Sequence, residues 1–407
     1  MHTETETMIG LLTILALGLI IPEIFKKTAQ LPFVTSLIII GSVFGPYGFD
    51  VIESNAIIEF FGFLGFTFLM LMAGLETRIN DVKKSITTIS ILAFVNASIP
   101  FATGVVIGRV FGYGWTTSLL LGTIFVSSSV AVIIALIESG TVSKNTKDLM
   151  MPAFVMEDLL SMILLASIFQ SINPQSTFPL PVYFMILLFS IAMLYLSIPP
   201  LAKLFMRKHV ITRKTTYEDE LRFVMVILIA VLLYFSALGV HPILAAFLVG
   251  ILLADQVTSE EIFSKIHTLS YGLFVPIFFF VVGMEMDITI FTRFDFKNVL
   301  ILTVITGLIA SKFISGFIAG KIVRLSSEDS TLFGTVSATQ LTTTLAAAYA
   351  ATTAGIFDET LVTAIVTLTI TTNIAVPICL RWITAVKGKK TVSVQKILPQ
   401  LQASDMQ

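Results

Sequence analysis

The stretch MPAFVMEDLLSMILLA, residues 151–166, places two adjacent carboxylates, Glu157 and Asp158, inside an apolar segment. The segment runs from about 147 to 172, which as a helix is long enough to cross a hydrocarbon core of about 30 Å. Ten residues from its start, the pair lies about 15 Å deep. A charge there costs at least ~2.5 kcal/mol, so carboxylates at this depth are usually functional. Because helical neighbours point about 100° apart, we expect the two carboxylates to have different roles.

Segments of the same apolar character recur along the whole chain. Of the 407 residues, 56% are hydrophobic and 13% are charged, and the mean hydropathy is +0.94. In ordinary soluble proteins about a quarter of the residues are charged. We therefore predict an all-α polytopic membrane protein with about 13 transmembrane helices and no sizeable soluble domain. The predicted spans, numbered 1 to 13 in chain order, cover 8–25, 31–49, 56–74, 86–111, 116–138, 147–172, 180–204, 221–239, 241–255, 269–286, 297–323, 331–355 and 358–385.

The distribution of basic residues predicts the orientation of these spans. The loops after odd-numbered spans, together with the C-terminal tail, contain 21 Lys and Arg residues, whereas the opposite side contains Arg109, Arg293 and Lys297. Positive residues collect on the cytoplasmic side. The N-terminal MHTETET has no basic region, so span 1 is expected to be a retained helix and not a cleaved signal. We predict a cell-membrane protein with its N-terminus outside and its C-terminus in the cytoplasm.

Four pairs of motifs indicate an internal repeat. The matching stretches are 31–41 with 241–250, 72–79 with 281–288, 104–109 with 316–321, and 127–142 with 342–357, at offsets of 210, 209, 212 and 215. Spans 1–6 therefore resemble spans 8–13, with span 7 as a linker. Span 2 starts inside and span 9 outside, so the two six-helix repeats are inverted. Inverted repeats are typical of secondary transporters that bind their substrate near the middle of the membrane.

Lys312, the remaining basic residue, lies in the middle of span 11, roughly 22 Å from the outer surface at 1.5 Å per residue. At that depth the ammonium group needs a carboxylate partner or must lose its proton. We expect Glu157 to be this partner. A purely structural ion pair is the alternative interpretation.

Two polar clusters interrupt spans 5 and 12. Serine and threonine in membrane helices often only bond to the preceding turn or join neighbouring helices. Here the clusters occupy equivalent places in the two repeats, where broken helices of transporters present backbone carbonyls and helix ends to an ion. The repeat offset also sets Asn373 against Asp158, and Asn96 in span 4 is either a neighbour of the ligand or a packing residue. The clusters comprise Ser127, Ser128 and Ser129 in span 5, and Thr339, Gln340, Thr342, Thr343 and Thr344 in span 12.

Several other classes of protein are disfavoured. The four histidines lie in loops or tails with no HExxH spacing, and Cys379 is the single cysteine, so no zinc site is expected. There is no GxxxxGK[ST] nucleotide loop, and a net charge of −1 gives no basic stripe for nucleic acid. We expect no cofactor. The remaining acids, among them Glu59 and Glu285, lie near predicted helix ends, where water reaches them.

The order of these motifs resembles the cation:proton antiporter-2 family, which includes NapA-like sodium/proton and Kef-like potassium/proton antiporters. The resemblance covers about residues 8–385 and is carried by LPFVTSLIIIGSVFGP and FLMLMAGLE in the first spans, SSSVAVIIALIESG and VMEDLLSMILL in spans 5 and 6, and VPIFFFVVGMEMDI and IASKFISG in spans 10 and 11. It implies that Asp158 binds the ion and the proton, that Lys312 pairs with Glu157, and that Ser128 and Ser129 fall on the broken helix.

The resemblance also implies a division into domains and a homodimer. Residues 1–85 (spans 1–3) and 216–295 (spans 8–10) would form the dimerisation domain, and 86–175 (spans 4–6) and 296–386 (spans 11–13) the transport core. Residues 176–215 would be the linker helix and 387–407 a short cytoplasmic tail. Two features depart from the family: Glu157 is unusual at its position, and ATQLTTT replaces the Arg-Gly-Glu or Gln-Gly-Glu found in span 12 of many relatives. No nucleotide-binding domain of the Kef type is expected after span 13.

We interpret the sequence as a monovalent cation/proton antiporter, most simply for Na⁺, in which Asp158 holds either a proton or a dehydrated cation. Ser127, Asn96, Gln340, Thr343, Thr344 and Asn373 are expected to support the site. With two acids and a lysine, charge counting predicts electrogenic exchange. The first alternative is a K⁺/proton antiporter, with a separate soluble regulatory subunit as one option. A cation channel or Na⁺-coupled symporter on the same scaffold is more distant, and an intramembrane enzyme lacks a paired catalytic motif.

Overall fold

The computed structural model describes residues 2–28, 33–76, 86–128, 144–172, 180–212, 217–238, 242–257, 260–292, 296–376 and 378–380, and these form helices and turns without any strand. The helices are α1 (His2–Thr28), α2 (Phe33–Phe44), α3 (Ala56–Leu75), α4 (Ile86–Val110), α5 (Trp115–Val126), α6 (Lys144–Ile172), α7 (Leu180–Thr212), α8 (Tyr217–Ala237), α9 (Pro242–Ala254), α10a (Glu260–Leu269), α10b (Val275–Met284), α11 (Phe296–Ile322), α12a (Ser327–Ser337), α12b (Thr342–Thr353) and α13 (Glu359–Leu380).

The predicted all-α membrane fold is confirmed. Among the described residues, nine helices are long and apolar enough to cross a membrane, and α2, α5 and α9 are shorter apolar helices. With the broken helix α12, the described part of the chain contains thirteen candidate spans. A helix satisfies its own backbone groups, which is why an apolar chain of this kind can enter lipid.

Span 10 differs from the prediction in its length and form. The helix begins at Glu260, nine residues before the predicted 269, and its halves α10a and α10b are joined by a π-helical turn, Ser270–Phe274. The first half, EEIFSKIHTL, is amphipathic and charged, so a search for apolar blocks does not include it. Pro276, at the start of α10b, lacks the N–H of a regular helical turn, consistent with irregular helix at this place.

Close helix crossings follow the repeat. α2 crosses α10b at Gly41 and Gly283, and α3 crosses α9 at Gly74 and Gly250. A Cβ atom on Gly41 would lie 2.1 Å from the Phe280 carbonyl oxygen, so the backbones meet at a distance that only glycine allows. The second crossing is the counterpart of the first, because positions 41 and 250, and 74 and 283, are each separated by 209 residues.

A second pair of crossings lies in the other half of each repeat. α4 meets α5 at Gly104 and Gly122, and α11 meets α12a at Gly316 and Gly334. Gly316 lies 212 residues after Gly104, and Gly334 lies 212 residues after Gly122. This separation matches the offset of the 104–109 motif. The packing therefore reproduces the repeat seen in the sequence.

The helices pack as two groups that correspond to different parts of the repeats. α2, α3, α9 and α10 pack against one another, and α1 and α8 join them. α4 packs against α5, α6 and α11, and α11 packs against α12a. A few contacts, such as that of α12b with α3, connect the groups.

Candidate functional site

The end of α5 and the interruption between α12a and α12b, here called the two helix breaks, face each other. α5 ends at Val126, and Ser127 continues in an extended conformation, whereas α12a ends at Ser337 and α12b resumes at Thr342. Gln340 Nε2 donates to the Ser127 carbonyl oxygen at 2.7 Å, and the hydroxyls of Ser127 and Thr344 are 3.0 Å apart. The hydroxyl of Thr344 also donates to Gln340 Oε1. The amide of Gln340 thus ties one break to the other without adding charge.

Lys312 and Glu157 form a fully buried ion pair. Lys312 Nζ lies 2.9 Å from Glu157 Oε2, and the side chains of both residues have no solvent exposure. The ammonium also donates to the carbonyl oxygen of Val126 at 2.5 Å and to Ser128 Oγ at 2.8 Å. All three of its protons therefore have acceptors, which is the condition for keeping a charged lysine in an apolar interior.

Both oxygens of the Glu157 carboxylate accept hydrogen bonds. Its Oε2 accepts from Lys312 and from the Ser128 hydroxyl at 2.8 Å, and its Oε1 accepts from Asn96 Nδ2 at 2.8 Å. Ser315 Oγ donates to Asn96 Oδ1 at 2.7 Å and thereby orients the amide with its N–H groups toward Glu157. Both oxygens of this carboxylate are occupied by protein donors.

Asp158 differs from its neighbour. Asp158 as a whole is partly exposed, but its Oδ1 atom is buried and has no hydrogen-bond partner among the described residues. The carboxylate interacts with the Thr343 hydroxyl and with the backbone of Ser128, so it lies between the two breaks. An unpartnered carboxylate oxygen beside a threonine hydroxyl offers oxygen lone pairs that can bind a cation.

Asn373 occupies the related place in the second repeat. Its Nδ2 donates to the Gln340 carbonyl oxygen at 2.7 Å and to the Thr369 carbonyl oxygen at 2.8 Å. Asp158 interacts with the backbone of the first break, and Asn373 binds the backbone of the second. The amide is fully used as a donor, so this counterpart holds the helix break in place.

The structure therefore brings together nearly all the residues that the sequence singled out. Ser127, Ser128, Gln340, Thr343, Thr344, Asn96, Asn373, Glu157, Asp158 and Lys312 lie around the crossing of the breaks. Ser129 lies outside the described residues. Sequence reasoning missed Ser315, which lies three residues after Lys312 and so on the same helix face. It also missed the Val126 carbonyl oxygen as an acceptor for Lys312. A backbone group of this kind cannot be identified from the type of residue.

A separate cavity of about 820 Å³ opens between the ends of α2, α3, α10b, α11, α12b and α13. Its walls include Glu59, Glu285 and Lys297, and the Tyr47 hydroxyl donates to Glu359 at 2.8 Å at its edge. Burial, reinforced by the nearby Glu59, raises the pKa of Glu285 to about 7. Glu285, which the sequence placed among the ordinary acids near helix ends, thus lies half-buried beside another acid in an open cavity.

Comparison with known proteins places the whole arrangement in a family. The chain is 29% identical over 383 residues to the probable Na(+)/H(+) antiporter 3 of Methanocaldococcus jannaschii, covering 93% of this chain and 96% of that protein. It is 27% identical over 327 residues to the K(+)/H(+) antiporter subunit KhtU of Bacillus subtilis, covering 76% of each chain. The structure of the sodium proton antiporter MjNhaP1 from Methanocaldococcus jannaschii at pH 8 superimposes with a TM-score of 0.73 over 93% of this chain and 98% of that one, at 19% identity, and so shares its fold.

The family model described as "Sodium/hydrogen exchanger, transmembrane" matches residues 11–386, nearly the entire chain. The protein thus belongs to the sodium/hydrogen exchanger family of transmembrane proteins.

Proposed function

We propose that this protein is a secondary transporter that exchanges Na⁺ for protons, with Asp158 as the residue that binds both ions in turn. The observation that carries the proposal is the free Oδ1 atom of Asp158 at the crossing of two helix breaks. Family membership and the names of relatives such as the Na(+)/H(+) antiporter 3 protein support the same ions.

The exchange follows from competition at one carboxylate. A protonated Asp158 is neutral and offers a poor ligand, whereas an ionised Asp158 attracts a cation to the oxygen that has no protein partner. The Thr343 and Ser128 groups beside it hold the carboxylate in position in both states. Because proton and cation do not occupy Asp158 together, a gradient of one ion drives movement of the other without ATP.

The Glu157–Lys312 pair acts as a positioning element in this proposal. It links α6 to α11 and, through the Val126 carbonyl, to the break in α5. With both oxygens of Glu157 occupied, the pair contributes no ligand while it remains closed. Exchange through Asp158 alone carries one cation for one proton. This departs from the electrogenic exchange expected from charge counting, which requires the pair to open.

We also propose a division into domains, an orientation in the membrane and a branch of the family. α4, α5, α6, α11, α12 and α13 would move as the transport core, and α1–α3 and α8–α10 would form a dimerisation domain. The packing supports this division for α4, α5, α6, α11 and α12a on one side and for α1–α3 and α8–α10 on the other. The basic residues favour an outside N-terminus and a cytoplasmic C-terminus in the cell membrane. The sequence motifs favour the cation:proton antiporter-2 branch within the family.

A K⁺/proton antiporter is the second candidate function. The similarity to KhtU, which is named as a K(+)/H(+) antiporter subunit, is the observation in its favour. A separate regulatory subunit belongs to this alternative, as in the interpretation from the sequence. Carboxylate and hydroxyl oxygens bind either ion, so the choice rests on measured selectivity.

Proteoliposomes containing a pH-sensitive dye separate these functions. With an acidic interior, external Na⁺ should dequench the dye for the wild-type protein, with a smaller response to K⁺. Asp158→Asn should abolish the response because an amide neither titrates nor carries charge. Asp287→Asn is a matched control: this buried carboxylate accepts from the Thr289 backbone and hydroxyl through Oδ1, a role that an amide oxygen fulfils. Full activity in Asp158→Asn would refute the proposed site.

A further inference from the structure

The Thr339 hydroxyl, in the break of α12, is buried with no solvent exposure and no hydrogen-bond partner in the described part of the chain. In the same region Asp158 Oδ1 is likewise buried and without a partner. Burying a polar atom without a hydrogen-bond partner destabilises the fold, so the presence of two such atoms in one region needs an explanation.

Other threonines of this helix are satisfied locally. Thr331 and Thr335 each donate to the carbonyl oxygen four residues earlier, both at 2.8 Å, and Thr352 does the same at 2.9 Å. This is the usual behaviour of threonine in a membrane helix. Thr339 follows the last turn of α12a, where its backbone N–H bonds to Val336 three residues back. Since the chain has left the helix there, the hydroxyl has lost its usual acceptor.

Neighbouring residues fix the place of Thr339 at the crossing. Ser128 Oγ lies 3.0 Å from the Ser337 carbonyl oxygen, and Gln340 donates to the Ser127 carbonyl at 2.7 Å. Thr339 lies between these two contacts in the sequence. Asp158 interacts with the backbone of Ser128, so both unpartnered oxygens belong to the same small region where the breaks meet.

We propose that the Thr339 hydroxyl is a ligand of the transported monovalent cation, together with Asp158. The inference rests on the proposed function and extends it to a neutral ligand from the second repeat. A hydroxyl oxygen has lone pairs for a cation and supplies no charge, so it contributes to cation binding without changing the competition for the proton at Asp158.

The test replaces the hydroxyl with a methyl group in Thr339→Val and measures Na⁺-dependent proton movement in proteoliposomes. The Na⁺ concentration for half-maximal transport should rise at least ~10-fold, equivalent to about 1.4 kcal/mol. The melting temperature without Na⁺ should stay the same or rise, because an unsatisfied buried polar group has been removed. Stabilisation by added Na⁺ should largely disappear.

Three further variants complete the test. Thr339→Ser keeps the hydroxyl and should retain nearly wild-type Na⁺ dependence. Thr335→Val removes a threonine that bonds within its own helix, so Na⁺ dependence should stay at the wild-type value. Thr339→Ala lacks the hydroxyl without the bulk of valine and should reproduce the rise, which covers the case that Thr339→Val fails to fold.

The outcomes separate this inference from the proposed function. A wild-type half-maximal Na⁺ concentration in Thr339→Val or Thr339→Ala would overturn the ligand role, even if Asp158→Asn is inactive. An equal loss of melting temperature with and without Na⁺ would likewise show a packing role. Absence of Na⁺-dependent proton movement in the wild-type protein would instead overturn the proposed function itself.

Discussion

Removal of either partner of the buried ion pair should destabilise the protein, and removal of both should restore part of the loss. Glu157→Gln leaves the Lys312 ammonium charged and enclosed, with neutral oxygens as its remaining acceptors. Lys312→Ala leaves Glu157 with the neutral donors Asn96 and Ser128. In each single variant one buried charge is uncompensated unless it gains or loses a proton.

The expected magnitude follows from the complete burial of both side chains. Breaking a buried pair by removing one member typically costs about 3–5 kcal/mol. With an unfolding entropy of about 2.1 cal/mol/K per residue, a chain of 407 residues loses roughly 4–6 °C in melting temperature. The double variant retains no unpaired charge, so its loss should be smaller than the sum of the two single losses by at least ~1 kcal/mol.

The assay is a double-mutant cycle by thermal unfolding in detergent. Thr103→Val is a matched control on a neighbouring helix, because its hydroxyl donates to the Ile99 carbonyl of its own helix, and it should unfold within about 1 °C of wild type. Additive losses in the cycle would show that Glu157 and Lys312 do not interact energetically and would refute the pairing as the cause of the instability.

Three further predictions follow from the cavity, the basic residues and the ion pair. Glu285 has a folded-state pKa of about 7, above its ordinary value of 4.5, so its contribution to stability is complete below pH 4.5 and is lost as pH rises through 7. Glu285→Gln should therefore be more stable than wild type at pH 8, by up to about 3 kcal/mol, and equal to it near pH 4; a gain independent of pH would contradict this cause. A cysteine placed at Gln175 should react with an impermeant maleimide from outside, and one at Thr215 only after permeabilisation; the reverse pattern would refute the predicted orientation. Transport should be insensitive to an imposed membrane potential if Asp158 alone exchanges ions, whereas potential-driven exchange would show that the Glu157–Lys312 pair opens during the cycle.

The sequence was sufficient for the general architecture because membrane burial and inverted repeats leave strong patterns. The offsets of 209 and 212 between motifs recur as offsets between glycine crossings. The sequence also predicted Glu157 as the partner of Lys312, and the structure places their charged groups 2.9 Å apart. The glycine crossings are predictable because close backbones admit no side chain, and the ion pair is predictable because a buried charge needs a partner.

Other features depended on three-dimensional details that residue identity does not encode. The Val126 carbonyl accepts from Lys312 because α5 ends there and frees the oxygen. The Thr339 hydroxyl lost its usual partner because α12a ends two residues earlier. The surroundings of Glu285 are formed by the ends of several distant helices. Each depends on where a helix ends, the least reliable part of a sequence-based assignment.

Proton release on cation binding tests the shared role of Asp158 most directly. Purified protein in weakly buffered detergent is titrated with NaCl while the pH is recorded, with choline chloride as the control salt. The wild-type protein should release up to one proton for each Na⁺ bound, and Asp158→Asn should release none. Release that persists undiminished in Asp158→Asn would contradict competition at this carboxylate and would assign the exchange to another group.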